Sequence, residues 1–124
     1  MIHVSDADFD RAVEEALDTV PDEFRPHLDN VMIEVRRRPD AAIMRAHDVP
    51  DDCLGLYVGV PLENKGAELA PVPLPDRILI FRDNLCGMCA SWDELVDEIR
   101  ITVLHEIGHH FGLDEDRLAE LGYD

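Results

Sequence analysis

The chain has 124 residues, a length that predicts a single domain spanning residues 1–124. Its composition, 46% hydrophobic and 31% charged residues, is typical of a folded protein and argues against wholesale disorder. The formal net charge of −17 repels phosphate backbones and anionic membrane surfaces, so we expect no nucleic-acid and no membrane partner. The same negative charge favours bound cations.

The chain shows no targeting or disulfide pattern. No apolar run approaches the roughly 20 residues that a membrane-spanning helix needs. The first ten residues, MIHVSDADFD, lack a basic stretch followed by an apolar one, so we expect no secretory signal peptide and a cytoplasmic location. The three cysteines, Cys53, Cys86 and Cys89, are an odd number and predict reduced thiols.

The first half of the chain predicts one helix and two strands. Apolar residues at helical spacing after Ser5 predict a helix over residues 6–19, and a short helical turn precedes Pro26. Alternation over residues 31–35 predicts a strand, and residues 37–51 are expected to be mostly loop. The apolar run at residues 54–60 predicts a second strand.

The second half predicts a strand followed by a long helix. Residues 63–76 contain three prolines and predict a connecting loop, and residues 77–82 predict the third strand. Ser91 and Glu94 form a capping box before apolar residues at helical spacing, which predicts a helix over 92–111 ending at Gly112. Asp114 is expected to cap a last short helix. This order predicts an α+β domain with a small sheet packed on the long helix.

The long helix carries the motif with the clearest chemistry, His105-Glu106-Ile107-Gly108-His109. Residues four apart lie on one face of a helix, so His105 and His109 can share a metal ion, and zinc favours such nitrogen ligands. Zinc lowers the pKa of a water that it binds to about 7, and the Glu106 carboxylate can accept the proton of that water.

A five-residue pattern also occurs by chance, and a helical histidine can simply be solvated. The surrounding helix argues against this alternative, because Leu104, Ile107 and Phe111 predict a buried setting in which unliganded histidines would be costly. We therefore expect one metal ion per chain, zinc above all.

From His105 to Glu115 the sequence has the form H-E-x-x-H-x-x-G-x-x-[D/E], which resembles the zincin metallopeptidases. Together with residues 56–62 and 75–81, it resembles the bacterial mini-zincin family more closely, from about Asp6 to the end of the chain. The resemblance implies a minimal zincin-like fold. In that fold a small three-stranded sheet packs on a long active-site helix, with an N-terminal helix, a short C-terminal helix and a single zinc.

The resemblance also implies a third metal ligand, Glu115, at a position where relatives carry aspartate. Glutamate is one methylene longer, so the neighbouring Asp114 and Asp116 stay open as alternatives. Asp114 has a structural role available as a helix cap, and Asp116 could be a solvated acid in the first helical turn.

These residues predict a zinc-dependent metallopeptidase that hydrolyses peptide bonds in a peptide or protein substrate. Glu106 is the expected general base, and His105, His109 and Glu115 are the expected metal ligands. The alternative is a metal-bound binding module that keeps the zincin scaffold with little or no catalysis, because so short a chain has little material to wall a cleft. A purely structural zinc is a weaker third possibility, since such sites normally have four protein ligands.

Four further features carry secondary predictions. Tyr123 either donates to an oxyanion or packs its ring, and His110 is expected to pack or support rather than bind metal. A close approach of the sheet would explain Gly108 in mid-helix. An extended peptide could add along the strand at residues 78–82.

Overall fold

A computed structural model describes residues 1–59, 75–113 and 115–122. The elements in chain order are α1 (Asp6–Asp18), a 3-10 helix (Asp22–Leu28), β1 (Val31–Arg36), α2 (Ala41–His47), β2 (Gly55–Val58), β3 (Asp76–Phe81), α3 (Arg82–Met88), α4 (Trp92–Phe111) and α5 (Glu115–Glu120). The predicted α+β class, with three strands in the described sheet, a long helix and helices at both ends, is confirmed.

The three described strands form one mixed sheet in the order β1-β3-β2. Strand β3 runs parallel to β1 and antiparallel to β2, with Ile78 opposite both Ile33 and Tyr57. The prediction that a peptide adds along residues 78–82 is wrong, because a neighbouring strand already occupies each edge of β3.

Helix α4 forms the centre of the core. Its residues Leu95, Ile99, Val103 and Ile107 are fully buried against α1 and the sheet. Burial on more than one side is what fixes the direction of this helix, since each large apolar side chain that leaves water stabilises the packing by roughly 1.5–3 kcal/mol. The polar residues near its C-terminal end are therefore held on a rigid element.

Both ends of α4 are set by local sequence, as predicted. The Ser91 hydroxyl accepts a hydrogen bond from the Glu94 amide at 3.2 Å, and the Glu94 carboxylate accepts one from the Ala90 amide at 2.8 Å. At the other end, Gly112 has a φ of 61°, and its amide donates to the Gly108 carbonyl. A left-handed residue at this position suits glycine, which has no Cβ to clash.

Two short helices were not predicted. Helix α2 lies within residues 37–51, where the loop prediction is wrong. The Asp40 carboxylate caps this helix by accepting from the Ile43 amide at 2.8 Å, and no residue of α2 is buried, so no apolar stripe marks it. Helix α3 follows β3 directly, and its N-terminus has no side-chain cap.

Other boundaries differ little from those predicted. Strand β3 begins at Asp76 and ends at Phe81, one residue earlier than expected at each end, and β2 begins at Gly55. Most of the loop predicted at 63–76 lies outside the described residues. Each of the three cysteines is a free thiol. Across the described part of the chain, no helix is both long and apolar enough to span a bilayer.

Candidate metal centre

His105, Glu106 and His109 come together in the C-terminal half of α4. One ligand atom from each of the three lies within 4.8 Å of the others, and the two imidazole rings have centroids 4.3 Å apart. His105 and Glu106 are half-buried, and His109 is exposed. The helical spacing thus produces the convergence that the sequence predicts.

The geometry of these donors fits a zinc ion. Zinc–nitrogen distances near 2.0–2.1 Å allow two ligand atoms to be at most about 4 Å apart, so imidazoles whose centroids are 4.3 Å apart can reach one ion by rotation about their side-chain bonds. A tetrahedral ion held by two histidines has two further positions, which suit a third protein ligand and a water.

The backbone of β2 holds the Glu106 side chain. The Tyr57 amide donates a hydrogen bond of 3.0 Å to Glu106 Oε1. This contact requires β2 to run close to α4, and Gly55 permits it. A Cβ at Gly55 would lie 2.5 Å from Thr102 Cγ2 and 3.1 Å from the Leu79 carbonyl oxygen. One carboxylate oxygen of Glu106 is therefore bound by a donor whose position the sheet fixes.

A cavity of about 370 Å³ opens beside the two histidines. Glu115 and Asp116, at the start of α5, lie on its wall together with His105, Gly108, His109, Leu118 and Ala119. A Cβ at Gly108 would lie 2.5 Å from Leu118 Cδ1. The close approach at Gly108 is thus made by α5 and not by the sheet, which corrects the prediction.

The predicted third ligand, Glu115, lies on the wall of this cavity but outside the tight group of three. Its role as a ligand stays a prediction, as does the alternative at Asp116. Asp114 and Tyr123 lie outside the described residues.

A second cavity, of about 340 Å³, lies on the β2 side of the motif. His105 and Glu106 border it, and its wall is mainly apolar. The remaining lining residues are Cys53, Leu54, Gly55, Glu98, Ile101 and Thr102. The motif therefore stands between two open cavities.

Sequence reasoning missed a polar cluster next to Glu106. The Tyr57 hydroxyl donates to Asp76 Oδ2 at 2.6 Å, and the Tyr57 ring stacks on His110 with centroids 3.8 Å apart. Burial, and then the hydrogen bond with Asp76, raises the pKa of Tyr57, so its hydroxyl stays protonated at neutral pH. The available signal was the i, i+4 spacing of Glu106 and His110, which puts both on one helix face.

Comparison with known proteins identifies the fold and a family. A family profile described as zincin-like metallopeptidase matches residues 28–123. A solved structure of a conserved hypothetical protein from T. thermophilus is similar, with 20% sequence identity and a TM-score of 0.54. That alignment covers 97% of this chain and 100% of the other. A search of curated proteins finds no match.

Proposed function

The chain belongs to the zincin-like metallopeptidase family, and from this premise we propose that it is a zinc-dependent peptidase that uses Glu106 as general base. The observation that carries the proposal is the convergence of His105, Glu106 and His109 within 4.8 Å in the C-terminal half of α4. The family match adds the expectation of zinc and of a hydrolase.

His105 and His109 would hold the zinc ion, with Glu115 as third ligand. The bound ion supplies a Lewis acid that polarises a peptide carbonyl and makes water a nucleophile near neutral pH. Helix α4 supplies the rigidity that such a site needs, because its buried face holds the backbone positions from which the two imidazoles project.

Glu106 would carry the proton through the reaction. Its carboxylate accepts a proton from water as the water oxygen attacks the peptide carbon, and it later gives that proton to the leaving amine as the C–N bond breaks. The Tyr57 amide holds Oε1 in place, so Oε2 is the oxygen on which the proton would travel.

The cavities beside the motif support a peptide or protein as the substrate. One of about 370 Å³ lies beside α5, and one of about 340 Å³ lies beside β2. A chain lying across His105 would place side chains in both.

Glu106→Gln tests this proposal on a broad peptide library and on denatured protein. The substitution keeps the shape of the side chain and removes its basicity, so cleavage should fall at least about 100-fold while zinc stays bound. Glu14→Gln is the matched control, because Glu14 is an exposed glutamate on α1, and it should cleave as the parent does.

Two outcomes would count against the proposal. Equal cleavage by Glu106→Gln and the parent would show that Glu106 is not the base. A zinc-loaded parent that cleaves nothing in the library would favour a binding module on the same scaffold.

A further inference from the structure

Strand β2 and helix α4 lie in register along the face that carries Glu106. Gly55, Tyr57 and Gly59 face Thr102, Glu106 and His110 in turn. Two residues of strand advance about 6.6 Å, and four residues of helix advance about 6.0 Å, so the two repeats match over this short distance. The Tyr57 amide meets Glu106 at the middle of this register.

Tyr57 makes stronger contacts than Gly55 and Gly59, which lie on either side of it in the strand. At Gly55 the strand approaches Thr102 without a polar contact, and the position of a Cβ at Gly59 is 3.8 Å from both His110 Cε1 and Asp76 Oδ1. The Tyr57 side chain makes the directional contacts, through its hydroxyl to Asp76 and its ring to His110. A hydrogen bond to a carboxylate is stronger than one between neutral groups.

Two contacts of Tyr57 reach helix α4, from its amide to Glu106 and from its ring to His110, and its hydroxyl joins it to Asp76 in the sheet. Asp76 begins the central strand β3, His110 lies on α4 four residues after Glu106, and Tyr57 lies between them on β2. Asp76 is largely buried, with 8% of its surface exposed. It belongs to the central strand, so its carboxylate is held in place by the sheet. A shift of the Tyr57 ring or backbone would therefore strain its contacts with Asp76 and His110.

We propose that Tyr57, Asp76 and His110 are positioning residues that hold the Tyr57 amide on Glu106 Oε1 and thereby orient the general base. This inference rests on the proposed function for its catalytic consequence. Its structural part, the control of the amide at position 57 by Asp76, is independent of activity.

Three variants of the zinc-loaded full chain test the inference. Tyr57→Phe removes the hydroxyl and keeps the ring, Asp76→Ala removes the acceptor, and Asp76→Asn restores an acceptor oxygen on a side chain of the same length. Trp92→Phe is the control. It also removes one hydrogen bond from an aromatic side chain to a carboxylate, that of Trp92 Nε1 with Glu15 at 2.9 Å, at the opposite end of α4.

The first measurement is hydrogen exchange of the amide at position 57, followed by NMR, which needs no substrate. Protection should fall about tenfold or more in Tyr57→Phe and Asp76→Ala, recover in Asp76→Asn, and stay unchanged in Trp92→Phe. If Asp76→Ala protects this amide as well as the parent does, the inference is overturned whatever the reaction rates.

The second measurement is steady-state cleavage of the peptide identified with the library. We expect kcat to fall about 10- to 100-fold in Tyr57→Phe and Asp76→Ala, with KM and zinc content unchanged and with partial rescue by Asp76→Asn. A change in KM alone, or no rescue, would contradict positioning. A parent that cleaves nothing refutes the proposed function, and the exchange measurement then decides the inference alone.

Discussion

Leu118 packs directly over Gly108, where an added Cβ would come within 2.5 Å of Leu118 Cδ1. Through this contact α5 lies against the same turn of α4 that separates His105 from His109. Because Glu115 begins α5, the absence of a side chain at position 108 brings a carboxylate to the cavity beside the two histidines. Glycine in mid-helix normally costs about 1 kcal/mol relative to alanine, and this packing explains why it is found there.

Gly108→Ala should therefore destabilise the protein, although alanine favours helix. Leu118 is buried, so a methyl group at position 108 must displace its side chain or α5 at a cost of about 1–3 kcal/mol, and moving α5 should also weaken zinc affinity. Denaturant unfolding and zinc titration measure the two effects. Gly87→Ala is the matched control, since Gly87 is also helical and a Cβ there meets no atom within 4 Å. Equal stability and equal zinc affinity in the two variants would contradict the packing argument.

Glu115→Ala should reduce zinc affinity strongly if Glu115 is the third ligand. Removal of a residue that only supports a ligand typically lowers metal affinity about 10- to 100-fold, and removal of Glu115 should lower zinc affinity by more than this. Asp116→Ala and Asp114→Ala are compared with it by competition against a chelator of known affinity. Glu120→Ala, on the same helix and outside the residues lining the cavity, is the control. If Glu115→Ala keeps full zinc affinity and one of the aspartate variants loses it, that aspartate and not Glu115 is the third ligand.

The features that the sequence predicted well are those set within a few residues. The ends of α4 follow from the Ser91–Glu94 box and Gly112, and the spacing of His105 and His109 follows from helical geometry. Each of these contacts joins residues that are near one another in the chain. Local physical chemistry therefore suffices to predict them.

The features that the sequence could not predict depend on distant residues. The Tyr57 amide and Glu106 are 49 positions apart, and Tyr57 and Asp76 are 19 positions apart. Only the pairing of β2 with β3 and their packing on α4 brings them together. Helix α2 was missed for a different reason, because it buries none of its residues and so has no periodic apolar face.

Ionisation of the buried Cys89 thiol should lower the free energy of unfolding at alkaline pH. Burial, chiefly, raises the pKa of its thiol from 9.0 to about 11. The native state thus holds this proton more tightly than the unfolded chain does. The resulting stability is fully present below pH 9 and is lost as the pH rises towards 11, with a slope of up to about 1.4 kcal/mol per pH unit.

Urea unfolding of the parent and of Cys89→Ala between about pH 8 and 11 checks this dependence. Other groups that titrate in this range contribute to both proteins, so the difference between the two curves isolates Cys89. The free energy of unfolding of the parent should approach that of the variant as the pH rises. Parallel curves over the whole range would show that the thiol has the same pKa in both states.

The most direct test of the central claim is the zinc content of the purified chain, measured together with its melting temperature. We predict one zinc per chain, and none in His105→Ala or His109→Ala. His47→Ala, an exposed histidine on α2, should keep the metal. Because zinc binds the native state selectively, a chelator should lower the melting temperature of the parent, as expected for a linkage of about 4 kcal/mol at a thousandfold excess over Kd. A parent chain without metal, whose melting temperature is indifferent to chelator and to added zinc, would contradict the account.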